Sequence, residues 1–334
     1  MKRFAGIFVA LGVVGLATAF VLWSLPADEF VFEPGNARPL ADRVEVEGAR
    51  PAGAGDVYYV DVFVRRSSRL EELFPFLLPA GSDVVPEDEL LPPGTSEADR
   101  DRQTAADMQR SERVASAVAL RALGYEVEAI PKGALVVSIA HDVPAAGKLE
   151  PGDVIVAVDG VSIRTPDDLR AQIGKRKPGD PVELTVRRGK ETVRVRTKTV
   201  PTPGEPSRPI VGIRVDQEAD IQLPIDIEID LGQVGGPSAG LAFAIEIARM
   251  LGRNVTKGCK IAATGELALD GTVLPVGGLK QKTIGAEETG VDVFLVPVGE
   301  NATEARSHAE DLEILAVESY QQALRRLTTS KRKC

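Results

Sequence analysis

Gly235-Gly236-Pro237-Ser238-Ala239-Gly240 follows an alternating run, Ile225-Asp226-Ile227-Glu228-Ile229-Asp230-Leu231, and precedes an apolar stripe of Leu241, Ala244, Ile245, Ala248 and Leu251. The run carries an apolar residue at every second position, the period of a half-buried strand, whereas the stripe has the period of a helix. The glycines and proline between them make a turn, which puts Ser238 at a helix N-terminus. Backbone N–H groups and the positive end of the helix dipole gather there, and they can stabilise an oxyanion on a carbonyl attacked by the Ser238 hydroxyl. Gly236, Pro237 and Ala239 border that candidate oxyanion region. A capping serine beside a glycine turn is the plainer reading of the same residues. Gly236-x-Ser238-x-Gly240 also fits the nucleophile elbow of α/β-hydrolases, with His308 as the downstream base, but the region before it lacks the strand-helix alternation such a sheet needs.

Further along, Ala262-Ala263-Thr264-Gly265-Glu266 leads to a hairpin turn at Asp270-Gly271, then to Leu274-Pro275-Val276-Gly277-Gly278-Leu279-Lys280-Gln281-Lys282. Lys280 and Lys282 could each act on Ser238, and at 100° per residue they point about 200° apart on a helix. Only one can face the serine. Gly285 and Ala286, three and four residues beyond Lys282, are small and permit a close, poorly hydrated approach. A free lysine, with a pKa of about 10.4, is protonated at neutral pH, so a lysine base requires burial.

In this order and spacing, the Gly-Pro-Ser-Ala-Gly, Thr-Gly-Glu and Leu-Pro-Val-Gly-Gly-Leu-Lys-Gln-Lys segments resemble the proteolytic domain of Lon-family proteases, peptidase family S16, over residues 205–330. The resemblance implies a serine endopeptidase with a Ser-Lys dyad acting on polypeptide substrates. It selects Lys282, the second lysine of the pair, as the base for Ser238, and makes Thr264 the threonine that orients the lysine. Many Lon proteases carry an acidic residue three positions before the serine, where this chain has Gly235. That carboxylate lies outside the dyad, so its absence leaves proton transfer intact and bears instead on substrate contacts and regulation. No metal or other cofactor is expected. The sequence contains no G-x-x-x-x-G-K-[ST] segment, so the expected reaction is ATP-independent. Lon-type domains form rings, which makes homo-oligomerisation an expectation.

Residues 125–200 read as a compact strand-rich unit. Gly133-Ala134 precedes the apolar strand Leu135-Val136-Val137-Ser138-Ile139, and Pro151-Gly152-Asp153 turns into Val154-Ile155-Val156-Ala157-Val158. Thr165 caps a short helix with Pro166 at its first position and Asp167 and Asp168 in its first turn. Together with Ala145-Ala146-Gly147-Lys148-Leu149 and Val158-Asp159-Gly160, these residues resemble a PDZ domain of the bacterial protease-associated kind. The resemblance implies that a peptide adds as a strand beside Leu135–Ile139, its carboxylate held by N–H groups near Gly133 and Ala134, with Leu169 and Ile173 on the opposite wall. His141, in the following loop, reads as a surface residue.

After Lys2 and Arg3 the chain runs uncharged from Phe4 to Pro26, long enough as a helix to cross ~30 Å of hydrocarbon. Residues 1–25 are therefore expected to be a single-pass transmembrane anchor in the cell membrane, with the following domains extracytoplasmic. Ala17-Thr18-Ala19 offers the alternative of a cleaved signal peptide. Residues 26–124 read as a Pro-, Gly- and Ala-rich linker over 30–55, a strand Val57–Val64 whose expected partner is Arg43–Gly48, a solvated loop over 79–102, and a helix from Thr104 to Leu123. The fold expected is α+β and multi-domain: transmembrane helix, small α/β segment, PDZ domain as a strand-rich partly open barrel with helices, and Lon-type α/β proteolytic domain. The whole resembles the membrane-anchored PDZ-Lon proteases of bacteria, the YlbL-like group.

Composition narrows the partners. Forty basic against 49 acidic residues give a net charge of −9, a poor balance for neutralising phosphates, so no nucleic-acid partner is expected. Cys259 and Cys334 are too few for a disulfide framework and lack the paired spacing of a structural zinc site. A tethered PDZ scaffold with an inactive Lon-like domain is the rival reading. It shares peptide binding with the protease but does not require Ser238 and Lys282 to react together.

Overall fold

The computed structural model describes residues 2–91, 96–140, 142–329 and 334, with side chains from residue 11 onward; His141 lies outside the described residues. The chain forms two compact units, Met1–Ala119 with Ile227–Leu267 and Gly271–Cys334, and Leu120–Asp226 with Ala268–Asp270.

Helix α1 (Lys2–Ser24) passes through Leu25 directly into β1 (Pro26–Pro39). The single-pass anchor and the extracytoplasmic placement drawn from it are corrected: among the described residues, no helix is long and apolar enough to cross a membrane.

The stretch read as a linker is structured. Ala27, Phe30, Val31 and Ala37 of β1 are buried, as are Val44 and Val46 of β2 (Val44–Val46). Pro34 and Gly35 interrupt the alternation that would mark β1 as a strand, and its register against β3 (Asp56–Ser68) shifts there, between Pro34 and Ala37. β3 thus pairs with β1 on one side and with a later strand, Lys260–Ala263, on the other, and not with the Arg43–Gly48 segment. After α2 (Arg69–Leu73), the expected loop holds β4 (Asp83–Pro86) and α3 (Glu87–Leu90), and α4 (Glu97–Ala122) begins about two turns earlier than Thr104.

In the second unit, β5 (Glu128–Ile139), β6 (Val154–Val158), β7 (Val161–Ser162), α5 (Pro166–Ile173), β8 (Pro181–Arg188) and β9 (Glu191–Lys198) enclose a core of Val136, Leu149, Ile155, Ile163, Leu169, Ile173 and Leu184. Thr165 and Asp168 form a reciprocal capping box on α5. Residues 200–210, rich in proline, form a hairpin of β10 (Val200–Thr202) and β11 (Glu205–Ile210), a two-stranded ribbon whose edges tolerate missing N–H donors. Next, β12 (Ile213–Gln222) joins the edge of the sheet, which runs β12-β5-β6-β8-β9. The β5 edge expected to be open to a peptide therefore already carries β12.

The chain returns to the first unit with β13 (Ile227–Ile229), shorter than the alternating run that announced it and paired with β2. All residues of α6 (Gly240–Met250) are buried, including the Glu246–Arg249 pair, whose two hydrogen bonds measure 2.8 and 2.7 Å. Then come β14 (Lys260–Ala263), β15 (Glu266–Leu267), β16 (Val273–Leu274), α7 (Leu279–Glu288), β17 (Val293–Pro297), α8 (Glu300–His308), β18 (Glu313–Val317) and α9 (Tyr320–Thr329). One sheet, ordered β18-β17-β14-β3-β1-β4, is parallel from β18 to β3 and antiparallel beyond, so N- and C-terminal segments share its core. Cys259 and Cys334 close a single disulfide across 75 residues.

Helix α7 lies very close to β1. A Cβ placed on Gly285 would sit 2.2 Å from the Gly35 carbonyl oxygen and 2.9 Å from its carbon, both backbone atoms. Gly285→Ala is expected to destabilise the first unit by about 1–3 kcal/mol, as overpacking does, read as a lower urea midpoint than that of the unsubstituted chain.

Candidate active site

Ser238 sits in a short 3₁₀ turn, Pro237–Ala239, set up by Gly236 at φ 93° and continued by α6. The turn is tied to the end of β14: Gly265 N–H donates to the Ser238 carbonyl at 2.8 Å, Thr264 Oγ1 donates to the same oxygen at 3.1 Å, and Leu241 N–H donates to the Gly265 carbonyl at 3.0 Å. Thr264 N–H in turn bonds the Leu295 carbonyl of β17, which fixes the threonine to the sheet.

Across from this turn stands Lys282 of α7, 4% exposed. Its Nζ donates to Ser238 Oγ at 2.7 Å and to Thr264 Oγ1 at 3.1 Å. Burial pushes the Lys282 ammonium down to about 8, with Asp61 opposing the shift. Asp61 is held on β3 by the Asn36 N–H and by Arg38. Lys280, two residues earlier, points elsewhere: its Nζ donates to Asp83 Oδ1 at 2.7 Å and to the Ser82 carbonyl at 3.3 Å. His308 ends α8 as an exposed residue. The geometry thus brings Ser238, Lys282 and Thr264 together and leaves Lys280 and His308 outside.

Two residues of α4 contribute what the sequence did not single out. Gly236 N–H donates to the Thr104 carbonyl at 2.8 Å, and Ser111 Oγ donates to the Pro237 carbonyl at 2.9 Å. Of the three residues bordering the oxyanion region, Gly236 therefore has its N–H engaged by Thr104, Pro237 has none to offer, and Ala239 is buried. Thr104 and Ser111 are seven residues apart and fall on the stripe of Met108, Ala115 and Val118, so helical spacing was the signal that could have located them.

In the second unit, Gly133 and Ala134 are buried, Leu135 is half-buried, and Val136, Leu169 and Ile173 belong to the core. Gly133 N–H donates to the Arg164 carbonyl at 3.1 Å.

The packing of α4 also accounts for Gly235. A Cβ there would meet Thr104 Oγ1 at 2.8 Å and Thr104 Cβ at 3.0 Å. Gly235→Asp, which introduces an acidic side chain there, is expected to push the Ser238 turn off α4. Labelling of Ser238 by a fluorophosphonate should slow roughly tenfold or more, the cost of a misplaced reacting group. Labelling at the unsubstituted rate would mean that α4 yields without consequence.

Comparison with known proteins adds family context to this geometry. Residues 121–199 match the PDZ domain family, and residues 213–329 match the Lon protease (S16) C-terminal proteolytic domain. A Lon protease of Clostridium beijerinckii is 38% identical over 109 residues, covering 30% of this chain and 13% of that protein. One of Helicobacter pylori is 42% identical over 96 residues, covering 27% of this chain and 11% of that protein. The chain thus spans between 11% and 13% of the length of these two relatives. The PDZ domain of an SdrC-like protein from Listeria monocytogenes is 28% identical, with a TM-score of 0.24, covering 25% of this chain and 87% of that one. By its two family matches, the chain carries a region similar to the PDZ domain family followed by one similar to the Lon (S16) serine-peptidase domain, consistent with a PDZ-Lon protease.

Proposed function

We propose that the chain is an ATP-independent serine endopeptidase with Ser238 as nucleophile and Lys282 as general base. The observation that carries this reading is the 2.7 Å contact between Lys282 Nζ and Ser238 Oγ, made by a lysine with almost no exposure. Neutral Lys282 accepts the Ser238 proton as Oγ bonds to the peptide carbonyl carbon. The resulting ammonium gives its proton to the leaving amine as the C–N bond breaks, which leaves an acyl-enzyme. Water then attacks the ester, passing a proton to Lys282, and Ser238 Oγ recovers a proton as the product acid departs. Thr264 positions the pair, since it bonds both the lysine Nζ and the serine carbonyl.

Along the sequence we assign the proteolytic domain to residues 205–330 and the PDZ domain to residues 125–200, with β12 packed in the PDZ unit and β1, β3, β4 and α4 packed in the proteolytic unit. The PDZ domain selects substrates or regulates their cleavage, a role supported by its position directly ahead of the proteolytic domain in the chain.

The test is digestion of casein by the full chain without ATP. Ser238→Ala and Lys282→Ala, checked for native circular dichroism, are expected to lose activity by a factor on the order of 10³ or more, while Lys280→Ala and His308→Ala stay near the unsubstituted rate. Cleavage that survives Lys282→Ala would refute the dyad. The base works only when neutral, so the acylation rate should rise with pH through about 8 and level off above it. Single-turnover rates between pH 6 and pH 10 on the acid and alkaline sides of that value read this directly; a rate that falls as pH rises through the window contradicts a lysine base.

A further inference from the structure

Strand addition to a PDZ sheet needs a strand with an unpaired edge. β5 has none. On one side it pairs with β6, Ala134 opposite Ile155 and Leu135 opposite Val154. On the other it pairs antiparallel with β12 from Ile139 opposite Ile213 to Glu128 opposite Gln222. Partly buried Ile213 and Val215 of β12 pack on the core of this unit, so β12 inserts alternate side chains as a bound peptide would.

Where β12 passes Gly133, it does not stop. Glu218 lies opposite Gly133, and pairing continues through Ala219, Asp220, Ile221 and Gln222. The loop N–H that a terminal carboxylate would need, that of Gly133, donates to the Arg164 carbonyl instead. Gln217 Nε2 closes the same corner, donating to the Gly133 carbonyl at 3.2 Å and to the Arg164 carbonyl at 2.9 Å. The groove is therefore open at both ends to a continuous chain. Its rim is basic where β12 is acidic: Arg187 lies 3.9 Å from Glu218, and Lys132 lies 3.8 Å from Asp220.

We propose that the groove along β5 is a binding site for internal, extended, acidic peptide segments, and that Ile213–Gln222 is its resident ligand, which an incoming segment displaces. This rests on reading the second unit as a peptide-binding PDZ domain. The displaced strand is not a detached tail. Residues matching the Lon-type domain begin at 213, and only residues 223–226 separate β12 from β13 and the chain that leads to Ser238. Binding in the groove thus acts on a segment covalently continuous with the proteolytic domain.

The probe is a fluorescein-labelled synthetic peptide with the sequence of residues 213–222, titrated into the full chain. Ser138 and Arg214 are exposed and directly opposed, so Ser138→Cys with Arg214→Cys allows β12 to be locked by oxidation. The locked chain is expected not to bind and the reduced form to bind. Gln217→Ala is expected to tighten binding roughly tenfold over the unsubstituted chain, because it removes hydrogen bonds that hold the resident strand. Amidating the peptide's C-terminus should leave affinity unchanged, whereas replacing its three acidic residues with amides should weaken it.

Equal binding to locked and reduced forms overturns the resident-ligand proposal while leaving PDZ peptide binding standing. No binding to any form, Gln217→Ala included, overturns the peptide-binding reading and this proposal with it. Loss of binding on amidation overturns the preference for internal segments. Hydrogen exchange on the unsubstituted chain provides an independent check. Saturating peptide should accelerate exchange of β12 amides and leave β8 unchanged; unaltered β12 exchange overturns the proposal.

Discussion

A lysine ammonium removed from water has to be paid back in some way, and here burial lowers its proton affinity until the neutral amine is accessible near neutral pH. The site depends on that displacement. Lys282 reaches this position because α7 approaches β1 at Gly285 and Gly35 with no side chain between them, and because Thr264 and Ser238 receive its N–H groups where water otherwise would. Asp61 acts in the opposite sense and favours the charged form, and its own partners, Asn36 N–H and Arg38, hold it in place. The amine is thereby poised between the two protonation states that a proton shuttle alternates between.

The Ser238 side of the site is held from two directions. The end of β14 fixes the Ser238 carbonyl, and α4 fixes the two residues before it through Thr104 and Ser111. Space that a side chain at position 235 would need is filled by Thr104, so glycine there is a packing requirement of this chain. The N-terminal region is consequently part of the proteolytic unit: β1, β3 and β4 complete its sheet, and α4 backs its serine.

Legibility in the sequence followed the range of the interactions. Ser238, Thr264 and Lys282 stand in short segments whose order and spacing are distinctive, and the choice between Lys280 and Lys282 needed only helical geometry plus a resemblance. The strands of the PDZ unit were legible because apolar runs end at Gly-, Pro- and Asp-containing turns. What escaped notice depends on distant partners. β1 contains Pro34 and Gly35, so its alternation breaks where it bends, and its burial arises from pairing with β3. β10 and β11 are written in prolines, which this two-stranded hairpin accommodates at its edges. β12 lies in a stretch of alternating residues, but nothing local says that its partner is β5. The apolar N-terminal run shows the converse: hydropathy alone suggested an anchor, and no described helix meets the length and apolarity that crossing requires.

The dyad's chemistry is tested most directly by trapping its covalent intermediate. The full chain is mixed with unfolded casein at a pH above that at which Lys282 loses its proton, quenched with acid within a single turnover, digested and analysed by mass spectrometry. An acyl adduct on the peptide containing Ser238, absent from Lys282→Ala, is the expected result. An adduct on a different residue, or one that forms equally well without Lys282, would contradict a Ser238–Lys282 dyad.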